Sequence, residues 1–243
     1  MPNPATLTPF LGRHTAVCKL LLERRHRSAD TENREENGGT ALCAAAHGGS
    51  TETCALLLDH GANIEACDGD GDTALMTACL QGNTAVAELL LERGANVEAC
   101  DMDGVTALIH SAQAGQPTTA KLLLRAGASV DHAVTAGHTA LIVAAQDGRV
   151  ELAGLLLDAG ADIEAKTGEG DTALTLAAQE GQANMVEFLI DRGADIEAVS
   201  TAGLTAVMFA HLKNHHETAT LLLERGAMRT ITTAMGTMAV PER

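Results

Sequence analysis

The sequence predicts an all-α solenoid of stacked helix-turn-helix units that are joined by β-turn or hairpin loops. Two short phrases recur along the 243-residue chain at a spacing of 33 residues, without an insertion or a deletion. Thr-Ala-Leu, or Thr-Ala-Val in the last copy, begins at Thr40, Thr73, Thr106, Thr139, Thr172 and Thr205. Gly-Ala begins at Gly61, Gly94, Gly127, Gly160, Gly193 and Gly226. A fixed period of about 20–50 residues is typical of one supersecondary unit stacked on copies of itself.

The composition favours thin, closely packed helices, because only 1% of the residues are aromatic and Leu and Ala must fill the interior. In residues 69–101, Thr73 is predicted to cap a first helix and Gly82 to end it. That helix is expected to bury Leu75, Ala78 and Cys79, which lie at i, i+3 and i+4. Thr84 is expected to cap a second helix, which buries Val86, Leu89 and Leu90.

Other positions of the 33-residue repeat carry predictions about the backbone and the core. The residue that ends each first helix is Gly in five copies and Asn214 in the sixth, and Asn is the non-Gly residue that best tolerates a left-handed backbone. Each second helix carries three consecutive apolar residues, of which two are expected to be buried. These triplets begin at Leu56, Leu89, Leu122, Leu155, Phe188 and Leu221. Small pairs such as Ala144-Ala145 are expected to let neighbouring first helices approach closely.

In this register the chain resembles the ankyrin-repeat family. The matching elements are Gly-x-Thr-x-Leu at residues 71–75, the stop at Gly82, the Leu triplets and Gly-Ala, and the resemblance covers about residues 36–230. The family's usual Pro after Thr is Ala in all six copies, and its usual His two residues later is Cys, Met, Ile or Thr. The Thr–His hydrogen bonding of the family is therefore expected to be missing, which predicts softer repeats.

The register divides the chain into an N-terminal cap, five repeats, a capping repeat and a tail. Residues 1–35 form a degenerate half-repeat and cap, with loose order expected up to residue 13 and a single helix over 14–30. The repeats cover residues 36–68, 69–101, 102–134, 135–167 and 168–200. Residues 201–230 form a C-terminal capping repeat, because polar residues such as His211 replace packed small ones. The tail, 231–243, is expected either to fold back over the last repeat or to stay mobile.

The net charge of -16 argues against several classes of partner. Nucleic-acid backbones and anionic membranes attract clustered Lys and Arg, so neither is an expected partner. No apolar run is long enough to cross a membrane, and the N-terminus lacks the pattern of a signal peptide. The six Cys include no Cys-x-x-Cys pair, and Cys67 and Cys100 are expected to lie too far apart for a disulfide. The predicted location is the cytoplasm, with access to the nucleus left open.

No motif predicts catalysis, a cofactor or a metal ion. The acids lie at turns and helix ends rather than in one apolar pocket. Residues 68–72, Asp-Gly-Asp-Gly-Asp, are similar to part of a calcium loop but lack its remaining spacing and terminal Glu. His211, His215 and His216 lack an evident fourth ligand. The sequence therefore predicts a protein that is not an enzyme and has no cofactor.

The family resemblance implies a scaffold or adaptor that binds another protein along a concave face of turn tips and first-helix ends. The positions that the register leaves free on that face are Glu36, His47, Asp68, Asp70, Asp72, Leu80, Gln81, Asp101, Met102, Asp103, Gln113, His138, Gln146, Asp147, Glu169, Asp171, Gln179 and Glu180. Acids outnumber bases among them, which favours either a partner with a basic surface or peptide or a coat that keeps a monomer soluble. The alternative function is an inhibitory or targeting module of an enzyme or channel complex, either as a stand-alone inhibitor or as a fragment of a larger chain.

Overall fold

The structure, a computed structural model, describes residues 40–228 and the backbone of residues 230–233 and 236–239. The chain divides into two compact units, Met1–Ser129 and Val130–Arg243. The predictions for the N-terminal cap, and for Glu36 at the start of the first full repeat, lie outside the described residues.

The described part of the first unit consists of six helices in three consecutive pairs, and a tight turn joins the two helices of each pair. The pairs are α1 (Ala41–His47) with α2 (Thr51–Asp59), α3 (Ala74–Leu80) with α4 (Thr84–Glu92), and α5 (Ala107–Gln113) with α6 (Pro117–Arg125). The first helices α1, α3 and α5 pack in sequence on one another, and the second helices α2, α4 and α6 do the same. Each first helix also packs on the second helix of its own pair.

The described part of the second unit repeats this arrangement and adds two strands. Its pairs are α7 (Ala140–Gln146) with α8 (Val150–Asp158), α9 (Ala173–Gln179) with α10 (Ala183–Asp191), and α11 (Ala206–Leu212) with α12 (His216–Glu224). Strands β1 (Thr230–Thr233) and β2 (Gly236–Ala239) are antiparallel, with Thr230 opposite Ala239. The predicted all-α repeat fold is confirmed, and this strand pair is an addition to it that begins at the last residue of the predicted capping repeat and continues into the predicted tail.

Thr hydroxyls cap most of the first helices, as predicted. The side chains that accept a hydrogen bond from the backbone N–H three residues later are those of Thr40, Thr73, Thr139 and Thr172. Thr106 and Thr205 lack this bond, and their buried hydroxyl oxygens have no hydrogen-bond partner within the described part of the chain. The prediction for Thr84 was wrong, because Asn83 is the N-cap of α4. The Thr84 hydroxyl lies 2.8 Å from that of Thr119 in the next pair.

The core of each unit is built from Leu and Ala side chains. Leu75, Ala78 and Cys79 are buried, as the spacing predicted. Only the middle residue of each second-helix triplet is fully buried, whereas two were expected; these residues are Leu57, Leu90, Leu123, Leu156, Leu189 and Leu222. Consecutive helix residues point about 100° apart, so the two outer members of a triplet turn partly sideways and remain half-buried.

The residue two positions beyond the last residue of each first helix has a left-handed backbone. The φ angle is 70° at Gly82 and 64° at Asn214, which confirms the predicted equivalence of Asn with Gly at this position. Gly82 also makes room for the next repeat, since a Cβ there would lie 2.6 Å from the side chain of Gln116. In the preceding repeat the equivalent side chain, that of Asn83, donates to the carbonyl oxygen of Ala46 at 2.8 Å. The helix end is therefore also a contact between repeats.

Acidic side chains connect successive repeats within each unit. In the first unit, Glu65 accepts a hydrogen bond from the backbone N–H of Asn96 and Glu98 accepts one from Ser129, each at 2.8 Å. In the second unit, the same bond at 2.7–2.9 Å joins the acceptor–donor pairs Asp131–Asp162, Glu164–Asp195 and Glu197–Met228. Hydrogen bonds to ionised acceptors are stronger than neutral ones. These five acids therefore have a structural role that accounts for their charge.

Candidate functional site at the turn tips

Several of the turns between repeats are each organised by one polar side chain. In the first unit, Asp68 Oδ1 accepts hydrogen bonds from the backbone N–H groups of Asp70 and Asp72, both at 3.0 Å. Asp101 repeats this 33 residues later, accepting from Asp103 at 2.9 Å and from residue 105 at 2.8 Å. Asx turns of this kind are a common use of Asp in loops. The carboxylates of Asp68 and Asp101 thus shape the tips that carry the other candidate residues.

In the first unit most of the predicted site residues are exposed. Those with exposed side chains are His47, Asp70, Leu80, Gln81, Met102, Asp103 and Gln113. Met102 is 77% exposed at the tip of its turn, and its backbone N–H donates to the carbonyl oxygen of Asp70 at 3.3 Å. This bond places the tips of two successive turns side by side. The remaining three, Asp68, Asp72 and Asp101, are half-buried.

In the second unit the predicted residues are less uniformly accessible. Asp147, Glu169 and Glu180 are exposed, while His138, Gln146 and Gln179 are half-buried. Here the turn around residue 167 is organised by a hydroxyl, because Thr167 Oγ1 accepts from the backbone N–H of Glu169 at 3.2 Å and of Asp171 at 3.1 Å. In this turn a Thr hydroxyl therefore accepts the two backbone hydrogen bonds that an Asp carboxylate accepts in the first unit.

Asp171 departs from the prediction of an accessible tip, because the residue is only 5% exposed. Its Oδ1 atom is buried and has no hydrogen-bond partner within the described residues. Burial raises the pKa of the Asp171 carboxyl, and the nearby charge of Glu169 raises it further, while His138 and Thr175 act in the opposite direction. A side chain in this position cannot serve as a contact for a partner protein.

Two of the half-buried acids of the first unit converge on a histidine that the sequence analysis did not single out. His110 Nε2 lies 3.1 Å from Asp72 Oδ1 and 3.6 Å from Asp101 Oδ2. The three side chains are 9–19% exposed, with His110 the most buried. Asp72 belongs to the turn before α3, Asp101 to the turn before α5, and His110 to α5 itself. The cluster therefore joins two successive repeats of one unit.

The same register gives a different set of side chains in the second unit. The positions 99 residues further along hold Asp171, Ser200 and Phe209 in place of Asp72, Asp101 and His110. One repeat earlier in that unit, the set is His138, Thr167 and Leu176. Comparing the residues at these equivalent positions could have identified His110 from the sequence, because in only one copy are all three side chains ionisable.

The charge of the turn tips differs between the units. In the first unit, the turns at residues 66–73 and 99–106 contain five Asp and no Lys or Arg. In the second unit, the turns at 132–139, 165–172 and 198–205 contain two acids, one Lys and two His. The predicted acidic surface is therefore concentrated in the first unit, where Asp70 and Asp103 are its exposed members.

A shallow groove of about 450 Å³ lies on the second unit, between α10 and α12. Three acids line it, Glu187, Glu217 and Glu224, and Glu187 forms an ion pair with Arg225. The groove belongs to the second helices and lies apart from the turn tips. Among the described residues, no helix has the length and apolarity needed to span a bilayer.

Comparison with known proteins identifies the repeat. The family model described as "Ankyrin repeats (3 copies)" matches residues 10–101, 94–167 and 164–233. A 61-residue segment, 25% of this chain, is 48% identical to the "Ankyrin repeat and KH domain-containing protein mask" of Drosophila melanogaster. The chain spans about 1% of the length of that relative.

Proposed function

Because the chain belongs to the ankyrin-repeat family, we propose that it is a scaffold or adaptor that binds a partner protein through its turn tips and first-helix ends. Ankyrin repeats generally mediate protein–protein interaction, and the family is typically non-catalytic. We further propose that the partner presents a basic surface or peptide to the acidic turns of the first unit. The protein is proposed to act as a monomer and to be located in the cytoplasm.

One observation carries the proposal for a basic partner: five Asp lie in two successive turns that contain no Lys or Arg. Two unit charges about 10 Å apart in water repel by only about 0.4 kcal/mol, so exposed acids at such a spacing cost little stability, and the closer, half-buried pair Asp72 and Asp101 has His110 between its charges. A row of one sign still steers an oppositely charged partner, because its field acts over a Debye length of about 8 Å at physiological salt. Met102, which is 77% exposed among these charges, offers the apolar contact that a stable interface needs at its centre.

The proposed contact surface is smaller than the set of residues predicted from the sequence. In the first unit it consists of the exposed residues His47, Asp70, Leu80, Gln81, Met102, Asp103 and Gln113. In the second unit it consists of Asp147, Glu169 and Glu180, with His138, Gln146 and Gln179 at its edge. Asp171 is excluded by its burial, and Asp68 and Asp101 contribute through the turns that they organise.

The free cysteines support a reducing location. Cys43, Cys54, Cys67, Cys79 and Cys100 carry no disulfide within the described residues. Free thiols near the surface are typical of proteins from reducing compartments.

The test of the basic partner is a charge-neutral double variant, Asp70→Asn with Asp103→Asn. Both side chains are exposed, and the turn bonds at these positions involve their backbone N–H groups, which the substitutions keep. Partners captured from the native source at low and high salt are identified by mass spectrometry, and their association rates are then measured. We expect the variant to associate several-fold more slowly at low salt, with little difference at high salt.

The matched control is Glu88→Gln with Glu92→Gln, which removes the same charge from exposed positions of α4. If the two double variants slow association equally, the acids act only as a general coat and the proposed basic partner site is wrong. If the captured partner is an enzyme or channel subunit whose activity changes on binding, the alternative of an inhibitory or targeting module replaces the adaptor.

A further inference from the structure

We propose that the side chains of Asp72, Asp101 and His110 form a binding site for a divalent transition-metal cation of the zinc type. One ligand atom from each residue, two carboxylate oxygens and an imidazole nitrogen, lies within 4.8 Å of the other two. Asp72 and Asp101 also belong to the acidic turns of the proposed partner surface, but none of the three side chains needs to contact a protein, so zinc binding can be measured without a partner.

Two of the three distances between ligand atoms are close to those of a coordination polyhedron, and the third is within 4.8 Å. Ligand atoms about 2.0–2.1 Å from a tetrahedral zinc ion are about 3.3 Å apart. His110 Nε2 is 3.1 Å from Asp72 Oδ1 and 3.6 Å from Asp101 Oδ2, so these two edges need to change by only a few tenths of an ångström. A set of two carboxylates and one imidazole suits zinc and its neighbours among the first-row metals.

Hydrogen bonds hold the carboxylate of Asp101 and the backbone of Asp72 in place, and they leave the proposed ligand atoms available. Asp101 uses Oδ1 to accept two backbone N–H groups of its own turn, which leaves Oδ2 facing His110. The backbone of Asp72 is fixed on both sides by Asp68, which accepts from its N–H and donates to its carbonyl oxygen, each at 3.0 Å. A metal would therefore meet a preformed pair of oxygens rather than two mobile surface chains.

His110 is the most buried of the three ligands, and its Nε2 atom faces both carboxylates. Its side chain is only 9% exposed, and its Nδ1 atom is buried without a hydrogen-bond partner within the described residues. Packing in α5 thus holds the ring, and its polar contacts within the described residues are with the two carboxylates. Buried ionised groups are costly unless they are neutralised. A divalent cation bound to Nε2 balances both carboxylates at once, which a single imidazole proton cannot do.

The expected affinity follows from the same geometry. A metal-bound His normally donates its other N–H to an acceptor, and loss of such a partner costs about 10–100-fold in affinity. His110 Nδ1 has no acceptor within the described residues, and three protein ligands leave the remaining positions to water. We therefore expect a Kd on the order of micromolar, weaker than that of a structural zinc site.

The experiment titrates zinc into the full chain, with calorimetry and thermal unfolding as readouts. Burial raises the pKa of the Cys54 and Cys79 thiols to about 12, so these do not compete for metal at neutral pH. Cys67 and Cys100 are more accessible and are replaced by Ser in all proteins compared. We expect one zinc ion to bind this parent, and excess zinc to raise its Tm by several degrees.

Three variants of this parent decide the proposal. Asp72→Asn and His110→Phe are each expected to weaken zinc binding at least tenfold, whereas Asp171→Asn, at the equivalent position of the second unit, leaves it unchanged. His110→Phe introduces the residue that occupies position 209, and Asp72→Asn provides a second test if that variant folds poorly. In a parallel titration, cobalt replaces zinc, because its absorption spectrum reports directly on coordination. The spectrum of bound cobalt should disappear in both variants.

The opposite results overturn the proposal. If zinc binds the parent, Asp72→Asn and His110→Phe with equal affinity, the metal is held elsewhere. If zinc neither binds the parent nor raises its Tm, the three side chains form only an ion-paired contact between repeats.

Discussion

Two equivalent corners of the molecule show how one backbone supports different chemistry. In the first unit, Asp72 lies 3.1 Å from His110, with Asp101 beside them. In the second unit, Asp171 occupies the position of Asp72, but the positions of Asp101 and His110 hold Ser200 and Phe209. Asp72 forms a direct pair with an imidazole, whereas Asp171 is buried with one unpaired oxygen, and its pKa is raised despite the opposing effects of His138 and Thr175.

The comparison separates what the repeat requires from what each copy can change. The turn, the first helix and its end keep their geometry in both units, so their glycines, Thr caps and Ala pairs are constrained. The side chains at the corner are not constrained in the same way, because an acid there is compatible with a His or a Phe opposite. Specific function is therefore to be sought at positions where equivalent residues differ in charge.

The largest effect is expected from overpacking the first helices, whose packing both units share. Ala112 and Ala145 occupy equivalent positions in α5 and α7, and both are fully buried at 0% exposure. Replacing either with Leu should lower the free energy of unfolding by about 1–3 kcal/mol, because a well-packed core cannot accept three more carbon atoms without strain. Urea unfolding measures this loss.

The matched control for both is Ala85→Leu on the exposed side of α4, which should change stability by less than about 0.5 kcal/mol. If Ala145→Leu were as stable as the parent while Ala112→Leu was not, the two units would not share one packing rule, and the comparison of their corners would lose its basis.

Much of this frame could be predicted from the sequence, because it follows from local signals repeated at a fixed spacing. The first helices, the left-handed backbone at Asn214 and the buried Ala pairs all depend on residues close together in the chain. The contact of His110 with Asp72 could not be predicted, since it joins residues 38 apart and depends on how α5 packs on the preceding turn. The burial of Asp171 was missed for the same reason: in the sequence it is only an acid in a turn.

A smaller effect, on the order of 1 kcal/mol, is expected from removing the buried charge of Asp171 in the second corner. Burial raises the pKa of Asp171 above its value in the unfolded chain. Between these two pKa values the folded state holds more protons, so stability falls as the pH rises through this window, and the cost persists at neutral pH. Asp171→Asn should therefore stabilise the protein at pH 7 and lose this advantage as the pH falls below the unfolded pKa of about 3.9.

Urea unfolding of parent and variant at a series of pH values between about 3 and 7 measures the difference. Asp147→Asn, at an exposed position of the same unit, is the control and should have little effect at any pH. A stabilisation by Asp171→Asn that stayed constant down to pH 3 would show that packing, and not ionisation, distinguishes the two side chains.

The smallest effect is expected from giving the second corner the partner that the first corner has. Phe209→His places an imidazole at the position equivalent to His110, near a carboxylate with one unpaired oxygen, Asp171 Oδ1. Loss of the half-buried Phe side chain will itself cost stability, so the informative quantity is the coupling in a double-mutant cycle with Asp171→Asn. We expect a favourable coupling of about 0.5–1 kcal/mol at pH 6, declining towards pH 8 as the introduced His loses its charge.

Since Ser200 replaces the second carboxylate, Phe209→His should gain this pair without gaining zinc affinity. A coupling of zero would mean that the two corners differ in backbone position as well as in side chain, and a gain in zinc affinity would mean that the second carboxylate is not needed for metal binding.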